Sequence, residues 1–67
     1  MEYTNSRIRE LIAEHIHSER DRQIITRRLV DGVTLERLAE EFDMSVSQIK
    51  RIVQKTSACV FRHMTHN

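Results

Sequence analysis

The sequence predicts a small all-α domain of four helices. Its 67 residues include one glycine and no proline, so little in the chain interrupts a helix. Apolar residues recur three and four positions apart through most of its length, the period of a single buried helical face. Ahead of each such run stands a side chain suited to a helix start: one of Thr4, Asn5 and Ser6, then Ser18, Thr34 and Ser45. Residues 1–67 read as one domain. A chain this short buries only about 60% of the surface it exposes when unfolded, so its stability is small and it has no second layer for a deep substrate pocket.

The first helix is expected over about residues 6–17, capped by Thr4, Asn5 or Ser6. Ile8, Leu11, Ile12 and Ile16 share one face, with His15 at its border. That face suits a support packed across the bundle; binding a partner is the alternative use. The second helix is expected over residues 19–31. Ser18-Glu19-Arg20-Asp21 resembles a capping box with Asp in the place of the usual Glu or Gln. Glu19 and Asp21 also suit the positive end of the helix dipole. Ile24, Ile25, Leu29 and the stem of Arg28 face inward. Asp31-Gly32 ends this helix, because Gly32, the only glycine, takes up left-handed backbone past a C-terminus without strain.

Residues 34–53, TLERLAEEFDMSVSQIKRIV, form the motif around which the rest is arranged. Leu35, Leu38, Ala39 and Phe42 recur at helical spacing, and Thr34 can cap that helix. The break falls at Asp43-Met44-Ser45. Ser45 then caps a last helix, expected over about residues 46–64, whose buried stripe is Ile49, Ile52, Val53, Thr56 and Val60. Ala39 is small enough to let the two helices cross closely. Two such helices about a tight turn make a helix-turn-helix, which can lay its second, recognition helix in the major groove of DNA. Ser47, Arg51, Gln54, Lys55, Ala58 and Arg62 fall on the opposite side of the last helix from the stripe. Phe61 lies off the stripe, placed either to wrap against the first helix or to anchor another chain.

This motif resembles the helix-turn-helix of bacterial sigma factors, in the region-four module that reads promoter DNA. The similarity runs from about residue 19 to residue 64 and rests on four features. They are the threonine start, the alanine in mid-helix, the serine after the turn, and basic residues set among aliphatic ones. The resemblance implies promoter-type DNA as partner and RNA polymerase as a further candidate. Complete sigma factors carry more domains, so it implies a module rather than a whole sigma factor. Two departures stand out. The family usually has glycine where this chain has Asp43, a residue that tolerates left-handed backbone better than most. The positions that would face bases are Val46, Ser47, Gln48, Lys50 and Arg51, a less charged set than that of housekeeping sigma factors, so that family's promoter sequence does not carry over.

Charge points the same way. Residues 1–43 hold all ten acids and seven arginines, a net −3, whereas residues 44–67 hold Lys50, Arg51, Lys55 and Arg62 and no acid, a net +4. The acid-free segment is the recognition helix and its extension, and a local positive field is what a phosphate backbone requires. Arg51 and Lys50 can donate to guanine O6 and N7, Gln48 can pair with adenine, and Val46 can touch a thymine methyl. Ser47 can serve a base or a phosphate. Thr34 and the amides that begin its helix are placed for a phosphate, with Arg37, Lys55 and Arg62 as further phosphate contacts.

Other chemistries find little support. His15 and His17 point about 200° apart on a helix and cannot share an ion there. His63 and His66 could chelate only weakly, and one cysteine with scattered histidines makes no zinc spacing. Cys59 is expected half-buried, as a small core residue. There is no nucleophile elbow, phosphate loop or carboxylate pair across a cleft; Glu40 and Glu41 point in different directions. The chain is therefore expected not to be an enzyme and to need no cofactor or metal. A single cysteine, no apolar run of roughly 20 residues and no secretory leader suggest a cytoplasmic, nucleoid-associated protein. The expected function is sequence-specific binding of duplex DNA as a small transcription regulator or stand-alone sigma-like module. The alternative is docking of the same fold on RNA polymerase or a regulator. A second copy of the chain, as in a homodimer, is a further candidate partner.

Overall fold

The computed structural model describes residues 4–65. These form α1 (Asn5–His15), α2 (Glu19–Leu29), α3 (Leu35–Glu41) and α4 (Val46–Thr65). Each start is set by a side chain. The hydroxyls of Thr4, Ser18 and Thr34 accept the backbone N–H bonds of Arg7, Asp21 and Arg37 at 3.1, 3.3 and 3.2 Å. At Ser18 the box is one-sided, since Asp21 accepts from the Arg20 guanidinium at 3.2 Å instead of reaching back. The box is complete at α4. Ser45 Oγ accepts from the Gln48 N–H at 3.1 Å, and Gln48 Oε1 accepts from the Ser45 N–H at 3.0 Å.

The helix ends differ from expectation by two residues in both supporting helices. The first ends at His15 rather than His17, because the backbone at Ile16 turns extended. There Arg22 of α2 donates to the carbonyls of Ala13, at 3.0 Å, and Ile16. These are α1 C-terminal acceptors, which suit a cation. The second ends at Leu29 rather than residue 31, and the chain turns at Gly32, whose φ is +70°. Arg28 braces that turn by donating to the Val33 carbonyl at 2.9 Å. After α3 the closure is a Schellman pair. The Met44 N–H reaches the Ala39 carbonyl at 2.9 Å, and the Asp43 N–H reaches that of Glu40 at 3.4 Å. Asp43 holds the left-handed position at φ +53°, where a glycine is the usual occupant.

Two clusters make the core. Ile24, Leu38, Ala39 and Ile49 are buried together where α2, α3 and α4 meet, with Val33, Leu35, Phe42, Met44 and Ile52 packed around them. Leu11, Ile12, Ile16, Ile25 and Val60 are buried where α1 crosses α2 and α4, with Ile8, Leu29, Cys59 and Met64 at the margin. Val53 touches both. Thr56 is 3% exposed yet satisfied, its hydroxyl donating to the Ile52 carbonyl at 2.7 Å. Phe61 is 46% exposed and so takes no place in either buried cluster. The rings of His15 and His63 stack, with centroids 3.5 Å apart and planes 3° apart, and so join the end of α1 to the end of α4.

Candidate nucleic-acid interface

The second cluster partner of α3, helix α4, carries the candidate interface. Successive residues turn by about 100°, so burying Ile49, Thr56 and Val60 aims Ser47, Arg51, Gln54, Ala58 and Arg62 at solvent on the far side. All of these are exposed. Val46, Ser47, Gln48, Lys50 and Arg51, the base-facing candidates, occupy the first two turns and are exposed, Val46 to 41% despite being apolar. Lys55 lies one turn beyond Arg51, and Arg62 two turns further along. At about 30 Å, α4 is longer than the roughly 12 Å width of a major groove. Only its first turns can sit among bases, and the later ones lie nearer the backbone.

The cations divide into two populations. In the first three helices most arginines are held by the protein itself. Arg20 pairs with Asp21, Arg22 serves α1 and Arg28 serves the turn. Arg27 joins Asp31 at 3.1 Å and reaches Glu41 of α3 with two bonds, at 3.1 and 2.6 Å. Arg37 approaches the same Glu41 oxygen at 3.5 Å, though its own side chain is 70% exposed. Hydrogen bonds from Arg27 hold the Glu41 carboxyl below the ordinary carboxylate range, with the charges of Arg27 and Arg37 adding to the effect and desolvation opposing it. On α4, by contrast, Lys50, Arg51 and Lys55 make no ion pair or side-chain hydrogen bond among the described residues.

A family model, sigma-70 region 4, matches residues 18–60. The chain belongs to the sigma-70 region 4 family. That places it among helix-turn-helix DNA-binding domains of transcription. The matched segment holds α2, α3 and most of α4, and leaves α1 and residues 61–65 outside. Neither a curated protein nor a solved structure matches the chain significantly.

Sequence reasoning missed three polar contacts that shape this region-four domain. The Gln48 oxygen is engaged in the cap, a bond that the Ser-x-x-Gln spacing could have announced. The Arg27–Glu41 pair and the His15–His63 stack join residues far apart in sequence and carry no local pattern. His66 lies outside the described residues. Among the described residues no three His, Cys, Asp or Glu side chains converge as metal ligands, and no helix is long and apolar enough to cross a membrane. A shallow groove of about 410 Å³ runs between α2 and α3, lined by Arg22, Gln23, Thr26, Arg27, Glu41 and Phe42.

Proposed function

We propose that this domain binds duplex DNA sequence-specifically, with the first two turns of α4 in the major groove. The observation that carries this is the partition of cations. Lys50, Arg51 and Lys55 share the solvent side of the recognition helix with no acid to neutralise them, while Arg22, Arg27 and Arg28 are occupied by the fold. Val46, Ser47, Gln48, Lys50 and Arg51 face base edges in this arrangement. Thr34 and Arg37 at the start of α3, with Lys55 and Arg62 along α4, face phosphates. The protein acts as a small transcription regulator or a stand-alone sigma-like module in the cytoplasm. RNA polymerase docking is the second reading, favoured by the Phe42-lined groove between α2 and α3, which lies on elements other than the base-facing turns of α4.

Arg51 and Lys55 provide the test, because they should fail differently. Arg51→Ala should cost about 1–3 kcal/mol of binding and relax preference at one base position, since a guanidinium can engage one guanine with two bonds. Lys55→Ala should weaken all sequences alike and reduce the slope of log affinity against log salt by about one unit. Titrations against a selected duplex and a scrambled one at several salt concentrations measure both. Unchanged binding of both duplexes by both variants would remove the recognition-helix assignment and favour the docking reading.

A further inference from the structure

The capping box at the start of α4 constrains which base edges the helix can read. A backbone N–H must bond to an acceptor, so the Gln48 atom that faces the Ser45 N–H at 3.0 Å is chemically fixed as the oxygen. The two-bond recognition of adenine by glutamine needs that same oxygen to accept from the adenine N6 amino group while the amide nitrogen donates to N7. Holding the cap keeps the oxygen beside the helix start with one of its two lone pairs on the Ser45 N–H, while both N–H groups of the amide stay open to the groove. Gln48 therefore enters the groove as a donor.

The neighbours agree in kind. Lys50 and Arg51 are donors only. Val46 offers methyl groups, 41% exposed, at the first helical position. The α4 sequence from Val46 to Thr65 contains no Asp or Glu. Within the first two turns the Ser47 hydroxyl can donate to a keto oxygen as well as accept. Gln54 lies on the third turn, beyond the base-facing positions.

In the major groove, guanine shows two acceptors, and thymine an acceptor and a methyl, whereas cytosine shows a donor and adenine a donor beside N7. We infer that the base-facing turns of α4 read keto bases, through guanine O6 and N7 and thymine O4 and methyl, and take no specificity from the amino groups of adenine or cytosine. This rests on the DNA-binding function proposed above and names the ligand chemistry of that same site. Gln48 acts in it as a positioning residue that fixes the first turn, and as a donor.

The experiment selects a bound duplex from a random pool and then replaces single bases in it with analogues. Replacing guanine by 7-deazaguanine or thymine by uracil, at one or more positions under α4, should weaken binding about five- to ten-fold. Replacing adenine by unsubstituted purine, which deletes the N6 amino group, should leave affinity within about two-fold at every position. Gln48→Glu keeps an acceptor for the Ser45 N–H, so the melting temperature should hold. Binding should fall for all duplexes, with no adenine preference lost. Loss of affinity with purine, or loss of an adenine preference in Gln48→Glu, overturns the inference while leaving DNA binding intact. So does a selected duplex indifferent to every analogue. A pool that yields no duplex bound better than a scrambled one instead overturns the DNA-binding function, and this inference with it.

Discussion

The two core clusters are built from the same kinds of residue but closed in different ways. Around Ile24, Leu38, Ala39 and Ile49, three successive helices meet across two short turns, and every start and stop there is a bond between residues three to six apart. Around Leu11, Ile12, Ile16, Ile25 and Val60, the first helix meets the far end of the last one. Here the polar contacts tie α1 to its neighbours: Arg22 of α2 on the carbonyls that end α1, and His15 stacked on His63 of α4. Ile24 and Ile25 are neighbours in sequence, both fully buried, yet one floors each cluster. The family match spans all of the first cluster's buried members and omits the α1 members of the second. The difference teaches that the helix starts and stops of the region-four unit are locally specified, even though Arg27 and Glu41 link its first two helices across fourteen residues, and that α1 is a brace packed against it.

Five substitutions would break or sharpen that comparison, beginning with the largest expected effect. Ile24→Ala and Ile25→Ala should each cost about 2–5 kcal/mol in chemical denaturation. They should differ in amide exchange. Ile25→Ala should lose protection first in α1, and Ile24→Ala throughout α2, α3 and the start of α4. The same protection pattern in both variants would mean that the clusters unfold as one unit.

Arg22→Met keeps an apolar stem and removes the donors to Ala13 and Ile16. It should lower stability by about 1–2 kcal/mol and fray the last turn of α1, seen as lost helix signal in circular dichroism. No change would mean that water serves those carbonyls equally well.

Asp43→Gly should raise stability by up to about 1 kcal/mol, because glycine adopts φ +53° without the strain of a Cβ. A lower denaturation midpoint would show that the carboxylate makes a bond worth more than the strain.

The smallest effect belongs to Glu41. Its value is depressed on folding, first by the hydrogen bonds from Arg27. The associated stability is therefore complete above the unfolded-state carboxylate value and lost as pH falls through the lower folded-state value. Glu41→Gln should lower the denaturation midpoint slightly at neutral pH, and the gap to the parent should close in acid. A gap that persists at acid pH would place the effect in packing and not in charge.

Much of the fold was legible before any coordinates. Ser18, Thr34, Ser45 and the run Thr4-Asn5-Ser6 announce helix starts because a cap is a bond to an amide three residues on, and Gly32 announces a stop because a left-handed residue closes a helix end. The face of Ile8, Leu11, Ile12 and Ile16 was readable from period alone. So was the buried stripe of α4, including Thr56, whose hydroxyl bonds within its own helix. Helix ends at His15 and Leu29 were less legible, since a partner helix supplies the Arg22 donors and Gly32 lies three residues past Leu29. The candidate site was legible as a set of exposed positions on one helix. How its atoms are engaged was not, because the Ser45–Gln48 exchange holds the Gln48 oxygen on the Ser45 N–H.

The sequence by itself determined the four helices, the caps at Ser18, Thr34 and Ser45, the break at Asp43-Met44-Ser45 and the concentration of positive charge on the last helix. All of these depend on residues within a turn or two of one another. Only the tertiary structure decided that Ile24 and Ile25 serve different clusters, that Arg27 reaches Glu41 fourteen residues away, and that His15 meets His63. Those contacts depend on where helices cross, which is set by the packing of whole apolar faces and leaves no mark on the spacing of any one segment.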